Sequence, residues 1–221
     1  MTRQITPSKP QTNAARRRRP WLVPAGLILL SLIPVIAGAA RLTELTGGAA
    51  VTERNARFFD SPAPVVIHIV SVTVYSLLGA FQFHPGLRRG RPSWHRIAGR
   101  ILLPAGMLTA LSGLWMAVFY RLPASDGQLL LILRLIFGLA MALSLVLGVL
   151  AIVRRDFARH GAWMSRAYAI ALGAGTQALI LIVPELLLSP PDVTGRAILM
   201  GAAWVINLAV AEYFIRRRHP A

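Results

Sequence analysis

Apolar positions in this chain fall into long runs rather than the short alternations of a soluble fold. Six runs approach the length that crosses a hydrocarbon core of roughly 30 Å, about 20 residues at ~1.5 Å each. They lie at about 21–40, 64–84, 98–120, 128–152, 164–188 and 196–215. The segments between them are short, which leaves no room for a soluble domain of useful size. The expected organisation is a disordered basic tail over 1–20, rich in Thr, Pro, Gln and Arg, followed by a six-helix transmembrane domain over 21–218.

Polar and small positions inside the runs show which faces turn away from lipid, because such residues pack toward neighbouring helices. In the second run His68, Ser71, Tyr75, Gly79 and Gln82 follow helical steps and share one stripe. Gly99, Gly106, Ala110 and Gly113 form a stripe of small residues in the third. Arg134, Gly138 and Ala142 recur every four residues in the fourth, with Arg166, Gly173 and Gln177 in the fifth and Ala203, Asn207 and Ala211 in the sixth. Each run therefore presents one packing seam.

Charge adds direction. A net charge of +16 would suggest nucleic acid in a soluble protein, but its distribution follows the loops. Basic residues gather in the tail (Arg3, Lys9, Arg16 to Arg19), in the second loop (Arg88, Arg89, Arg91, Arg96, Arg100), in the fourth (Arg154, Arg155, Arg159, Arg166) and at Arg216 to Arg218. The alternate loops carry Arg41, Arg54, Arg57, Arg121 and Arg196, offset by Glu44, Glu53, Asp60, Asp126 and Asp192. The positive-inside rule then places both termini in the cytoplasm, as an even number of spans requires. The expected fold is an all-α integral membrane protein, a six-transmembrane-helix bundle of the cytoplasmic (inner) membrane. Its expected partners are the bilayer and anionic lipids at the cytoplasmic face, not nucleic acid.

The stretch "RRRRPWLVPAGLILLSLIPVIAGAA" has the basic, apolar and small-residue order of a secretory signal, but its apolar part is too long for a typical cleaved one. It is read as a retained first helix; cleavage would leave the other five orientations unchanged. No cysteine is present, which excludes disulfides, thiolate metal sites and cysteine nucleophiles.

The two long basic loops echo one another. "RRGRPSWHRIAGR" (88–100) and "RRDFARHGAWMSR" (154–166) have equal length, and Arg88, Arg89 and Arg100 fall on Arg154, Arg155 and Arg166, with His95 one place from matching His160. Two similar hairpins related as a parallel repeat would give this pattern. So would shared arginine-rich composition alone.

Several motifs carry a resemblance: "PAPVVIHIV" with "LLGAFQF", "HRIAGR", "RRDFARHGAWMSRAYA" and "WVINLAVAEYFIRR". In this order and spacing the chain resembles, over roughly 64–218, a bacterial membrane-protein family known as domain of unknown function 2306. The resemblance implies a multi-pass membrane protein whose activity is unassigned. It carries over His68, His95 with Arg96, Gly99 and Arg100, His160 with Trp163, Met164 and Arg166, and Asn207 with Glu212. The chain departs from the family's pattern at Gly161, where such proteins often have an arginine after the histidine, and near Gln177, where they often carry another.

Two constellations could carry chemistry. At the cytoplasmic boundary His95, Arg96, Arg100, His160 and Arg166 stand where two helices begin, and positive helix ends with arginines suit a phosphate, a carboxylate or an anionic headgroup. Glu212 either pairs with Arg216 four residues on or turns inward to Arg100 or Arg166 and closes that site. The same His95 and His160 could instead ligate one haem b, with Arg96, Arg100 and Arg166 beside its propionates. In the outer half His68, Tyr75, Arg134 and Gln177 form a polar patch. They either hydrogen-bond across helices or line a cavity for a quinone headgroup or another substrate. Phosphate loops, catalytic triads and paired carboxylates are lacking, so a hydrolytic enzyme is disfavoured. The leading expectation is a binding or transport protein, with a haem- or quinone-linked electron carrier and a membrane assembly partner as alternatives.

Overall fold

The computed structural model of the protein describes residues 21–187 and 189–218, and the tail expected over 1–20 lies outside them. Among the described residues all regular structure is helical: α1 (Leu22–Thr46), α2 (Ala56–Asp60), α3 (Pro62–Ala80) with a 3-10 turn at Phe81–Phe83, α4 (Pro85–Gly90), α5 (Pro92–Phe119), α6 (Gln128–Val153), α7 (Phe157–Ala171), α8 (Gly173–Leu187) and α9 (Val193–Arg218). Six spans are long and apolar enough to cross a membrane, with α7 and α8 together making the fifth. They cover the six expected runs. Both described ends of the chain therefore sit at the same end of the bundle, beside the arginine-rich loops.

Helix starts differ from the expected boundaries because capping outweighs hydropathy. Pro92 begins α5 and Asp156 caps α7, its Oδ1 accepting from the Arg159 N–H at 2.9 Å. Both helices thus begin well before their apolar stretches, and His95 and His160 each stand fourth in their helix. The echo between the two basic loops does not extend to their backbones. One holds α4, capped by His84 Nδ1 accepting from the Leu87 N–H at 3.0 Å. The other turns tightly through Arg155, which takes the left-handed φ of 60°.

The spans close into a ring in which α3 packs along α5, α5 along α6, and α6 along α9, while α1 bridges α3 and α8. The fifth span crosses this arrangement in two pieces. Its first half, α7, packs against α6 and α9 and touches α3 and α5, with Ala167, Tyr168 and Ile170 buried. Its second half, α8, leaves the centre to lie against α9 and α1. The half of the bundle near the arginine-rich loops is therefore filled, and the opposite half is hollow.

No proline causes this break. Gly175 N–H donates back to the Leu172 carbonyl at 3.1 Å, a tightened turn in place of a helical one. Asn207 of α9 holds the two halves, its amide donating to the Ala169 carbonyl at 3.1 Å and its carbonyl accepting from Thr176 Oγ1 at 2.9 Å. Gly173 leaves space for the Trp204 indole, which a side chain there would strike. An unpaired carbonyl in the membrane interior is costly, so Asn207→Leu is expected to lower stability by about 1–2 kcal/mol. Thermal unfolding of detergent-purified protein checks this.

Candidate functional site

A cavity of about 450 Å³ occupies the hollow half, within the range of roughly 300–1,000 Å³ typical of small-molecule sites. Three of the four residues in the expected outer patch line it: His68 from α3, Arg134 from α6 and Gln177 from α8. The fourth, Tyr75, lies beneath it. Its ring fills the space over Gly106, where a Cβ would come within 2.6 Å, and it packs 5.8 Å from the Tyr168 ring. Tyr168 in turn donates to the Ser76 carbonyl at 2.6 Å. The two tyrosines belong to the packed half beside the cavity, whose walls are largely aliphatic, with Phe137 and Trp204 stacked at 4.7 Å.

His68 is held by α5 rather than by Tyr75 or Gln177. A carbonyl can only accept, so Nδ1 carries a proton and donates to the Thr109 carbonyl and to Ser112 Oγ, each at 3.1 Å. Ser112 Oγ is free to accept because its own proton goes to the Leu108 carbonyl at 2.5 Å. With Nδ1 protonated, the neutral tautomer leaves Nε2 as an acceptor. Gly113 gives the ring room, since a Cβ there would lie 3.3 Å from Cε1. Gln177 donates Nε2 to the Met200 carbonyl at 3.2 Å, which leaves its Oε1 as the acceptor on offer.

Arg134 reaches outward to the rim of the cavity. It donates to Asp126 Oδ2 at 2.7 Å, and Arg196 of α9 reaches Oδ1 of the same carboxylate at 3.4 Å. Asp126, 9% exposed, thus ties α6 to α9 at the rim of the cavity. Sequence reasoning treated it only as a loop charge offsetting arginine. The usable signal was its position eight residues before an intramembrane arginine, two turns away once the loop folds back.

At the arginine-rich end the expected residues gather only in part. Glu212 turns inward and pairs with Arg166 through both carboxylate oxygens, at 2.5 and 3.1 Å, and Arg166 also lies 4.5 Å over the Trp163 ring. His160 Nδ1–H donates to the Gly148 carbonyl at 2.8 Å, and His95 lies within electrostatic reach of His160 and Arg88. Arg96 and Arg100 point away, exposed, with Arg96 bonded to Ser93 Oγ at 3.3 Å. The arginine most central to the set is already neutralised. No group of three or more metal-ligating side chains is found among the described residues.

No curated protein and no solved structure shows detectable similarity to the chain. A family model described as "Predicted membrane protein (DUF2306)" matches residues 65–215, the part that contains five of the six spans and every polar group of the cavity discussed above. The chain belongs to the DUF2306 family of membrane proteins.

Proposed function

We propose that the protein binds a small molecule in the cavity between α1, α3, α5, α6 and α8, as a binding or transport protein of the cytoplasmic membrane. The observation that carries this reading is the convergence of His68, Arg134 and Gln177, from three different helices, on one space of about 450 Å³. Polar groups inside a membrane are costly and cluster where they meet substrate or one another. Here His68 and Gln177 each keep an acceptor atom that no other group uses among the described residues. The positive-inside rule puts the arginine-rich loops in the cytoplasm, so the cavity opens toward the outer side. Arg96 and Arg100, exposed at the cytoplasmic boundary, suit anionic lipid headgroups.

The chain has no cysteine, so a single one introduced at Thr73, in the middle of α3 and on the cavity wall, is a clean probe. Thr73→Cys is expected to react with a small membrane-impermeant thiol reagent applied to right-side-out vesicles. Absence of reaction from either side would mean that the space is closed, and reaction only in inside-out vesicles would reverse the orientation.

A second reading, one haem b between His95 and His160, draws on their equal position in α5 and α7 and on the Nδ1–H bond of His160, which leaves Nε2 as the ligating atom. A Soret band in purified protein that disappears in His95→Ala and in His160→Ala would favour it.

A further inference from the structure

The mouth of the cavity holds more positive charge than its carboxylate can balance. Arg57, Arg121 and Arg134 line it, with Asp126 as the acidic residue among the lining groups. Asp126 is committed to Arg134 and Arg196. Arg57 and Arg121 have no carboxylate within salt-bridge distance among the described residues; Arg57 instead donates to the Arg121 carbonyl at 3.4 Å and lies 4.6 Å over the Phe58 ring. Arg41, on the same ring at 4.5 Å, is spent on Glu44. Burial pushes the Arg57 guanidinium below its usual range, and the charges of Arg134 and Arg41 push the same way against the pull of Asp126. The positive-inside bias depletes arginine at this end of the bundle, so topology gives no reason for these cations.

Behind the mouth the lining becomes apolar and aromatic, with Ile69, Phe137, Met141 and Trp204. A free inorganic anion would find few donors there, since Thr109 Oγ1 and Gln177 Nε2 already donate to the neighbouring helices. At about 450 Å³, within the range of small-molecule sites, the space takes one apolar body of that size. We propose that the ligand is a single-chain anionic amphiphile, with its carboxylate or phosphate monoester at Arg57 and Arg121 and its apolar body in the cavity beside Trp204. This rests on the cavity being a binding site, as proposed above. The guanidinium pair would supply charge-assisted hydrogen bonds to the headgroup, and the neutral His68 and Gln177 acceptors would select ligands that carry a donor along the chain.

The test uses the full chain in phosphatidylcholine nanodiscs, with Trp204 emission as the reporter and Trp204→Phe subtracted to remove the other tryptophans. Three matched bromine-tailed quenchers are titrated: 11-bromoundecanoate, 11-bromoundecyl phosphate and the uncharged 11-bromoundecanol. One or both acids are expected to quench saturably, at least about ten-fold more tightly than the alcohol. In Arg57→Gln/Arg121→Gln that advantage is expected to vanish while binding of the alcohol stays, which also shows that the variant is folded. Equal affinity for acid and alcohol in the native chain, or an acid affinity unchanged in the double variant, would overturn the assignment of the charge and leave the cavity reading standing. Saturable Trp204-dependent quenching by none of the three would overturn both. Inorganic phosphate is added as a competitor, and displacement of the acids at micromolar phosphate would replace the amphiphile with a free anion.

Discussion

Replacing Gly175 with valine is expected to detach α1 from the bundle. Gly175 is the point where α8 meets α1 backbone to backbone, and a Cβ there would run into the main-chain carbonyl oxygen of Leu30. Most crowded glycines in this protein face side chains that can rotate; Gly148, for example, faces the flexible end of Met164. A carbonyl oxygen in a helix cannot turn aside, so relief requires α1 itself to move. Since α1 touches mainly α3 and α8, the shift would break one of its two principal contacts. Overpacking of this kind costs on the order of 3 kcal/mol, and thermal unfolding in detergent should fall by about 6–12 °C. Gly26→Val, on α1 itself, is the control, because nothing lies within 4 Å of a Cβ at that position. It is expected to change stability by less than about 0.5 kcal/mol. Equal melting of the two variants would show that the α1–α8 approach contributes nothing.

Removing the Asp126 carboxylate is expected to cost nearly as much. Breaking a buried ion pair from one side leaves an uncompensated charge, at about 3–5 kcal/mol when fully buried. Here the side chains of Arg134 and Arg196 keep 29% and 27% exposure, so solvent offsets part of that. Asp126→Ala should destabilise by about 2–3 kcal/mol. Arg134→Met in the same background should recover part of the loss, because it removes the cation left without a carboxylate, whereas Arg196 keeps Glu185 at 3.5 Å. A double variant no more stable than Asp126→Ala would mean that the carboxylate matters for its loop and not for the arginines.

Much of this architecture is legible in the chain because the membrane imposes a length. The six spans follow from uninterrupted apolar runs, and the common depth of His95 and His160 follows from each lying just inside a helix start. The Arg166–Glu212 pair could be posed as one of two options, but spacing alone could not choose it over Arg216, since the partner comes from another helix. The break in the fifth span is least legible. Prolines at 34, 104 and 184 lie inside α1, α5 and α8 without dividing them, while the chain divides at Leu172 where there is none. That division depends on Asn207 and Trp204, distant in sequence, meeting a stretch opened by Gly173. The cavity follows from the break, so its location was hidden, although three of its polar lining groups were recognisable as intramembrane polar residues. Arg57 and Asp126 belong to the connections between spans, where charge is expected and draws no notice.

The division of the fifth span separates two tasks that a continuous helix would bind together. Tyr168 and its neighbours on α7 hold the filled half, while α8 shapes the hollow one, and the turn at Leu172 keeps the first insensitive to the second. Away from the Gly175 contact with α1, the cavity-facing positions of α8 can therefore change with less effect on the filled half than changes along α7. Gln177, whose side chain lines the hollow half and bonds to the Met200 carbonyl of α9, stands in that separable part.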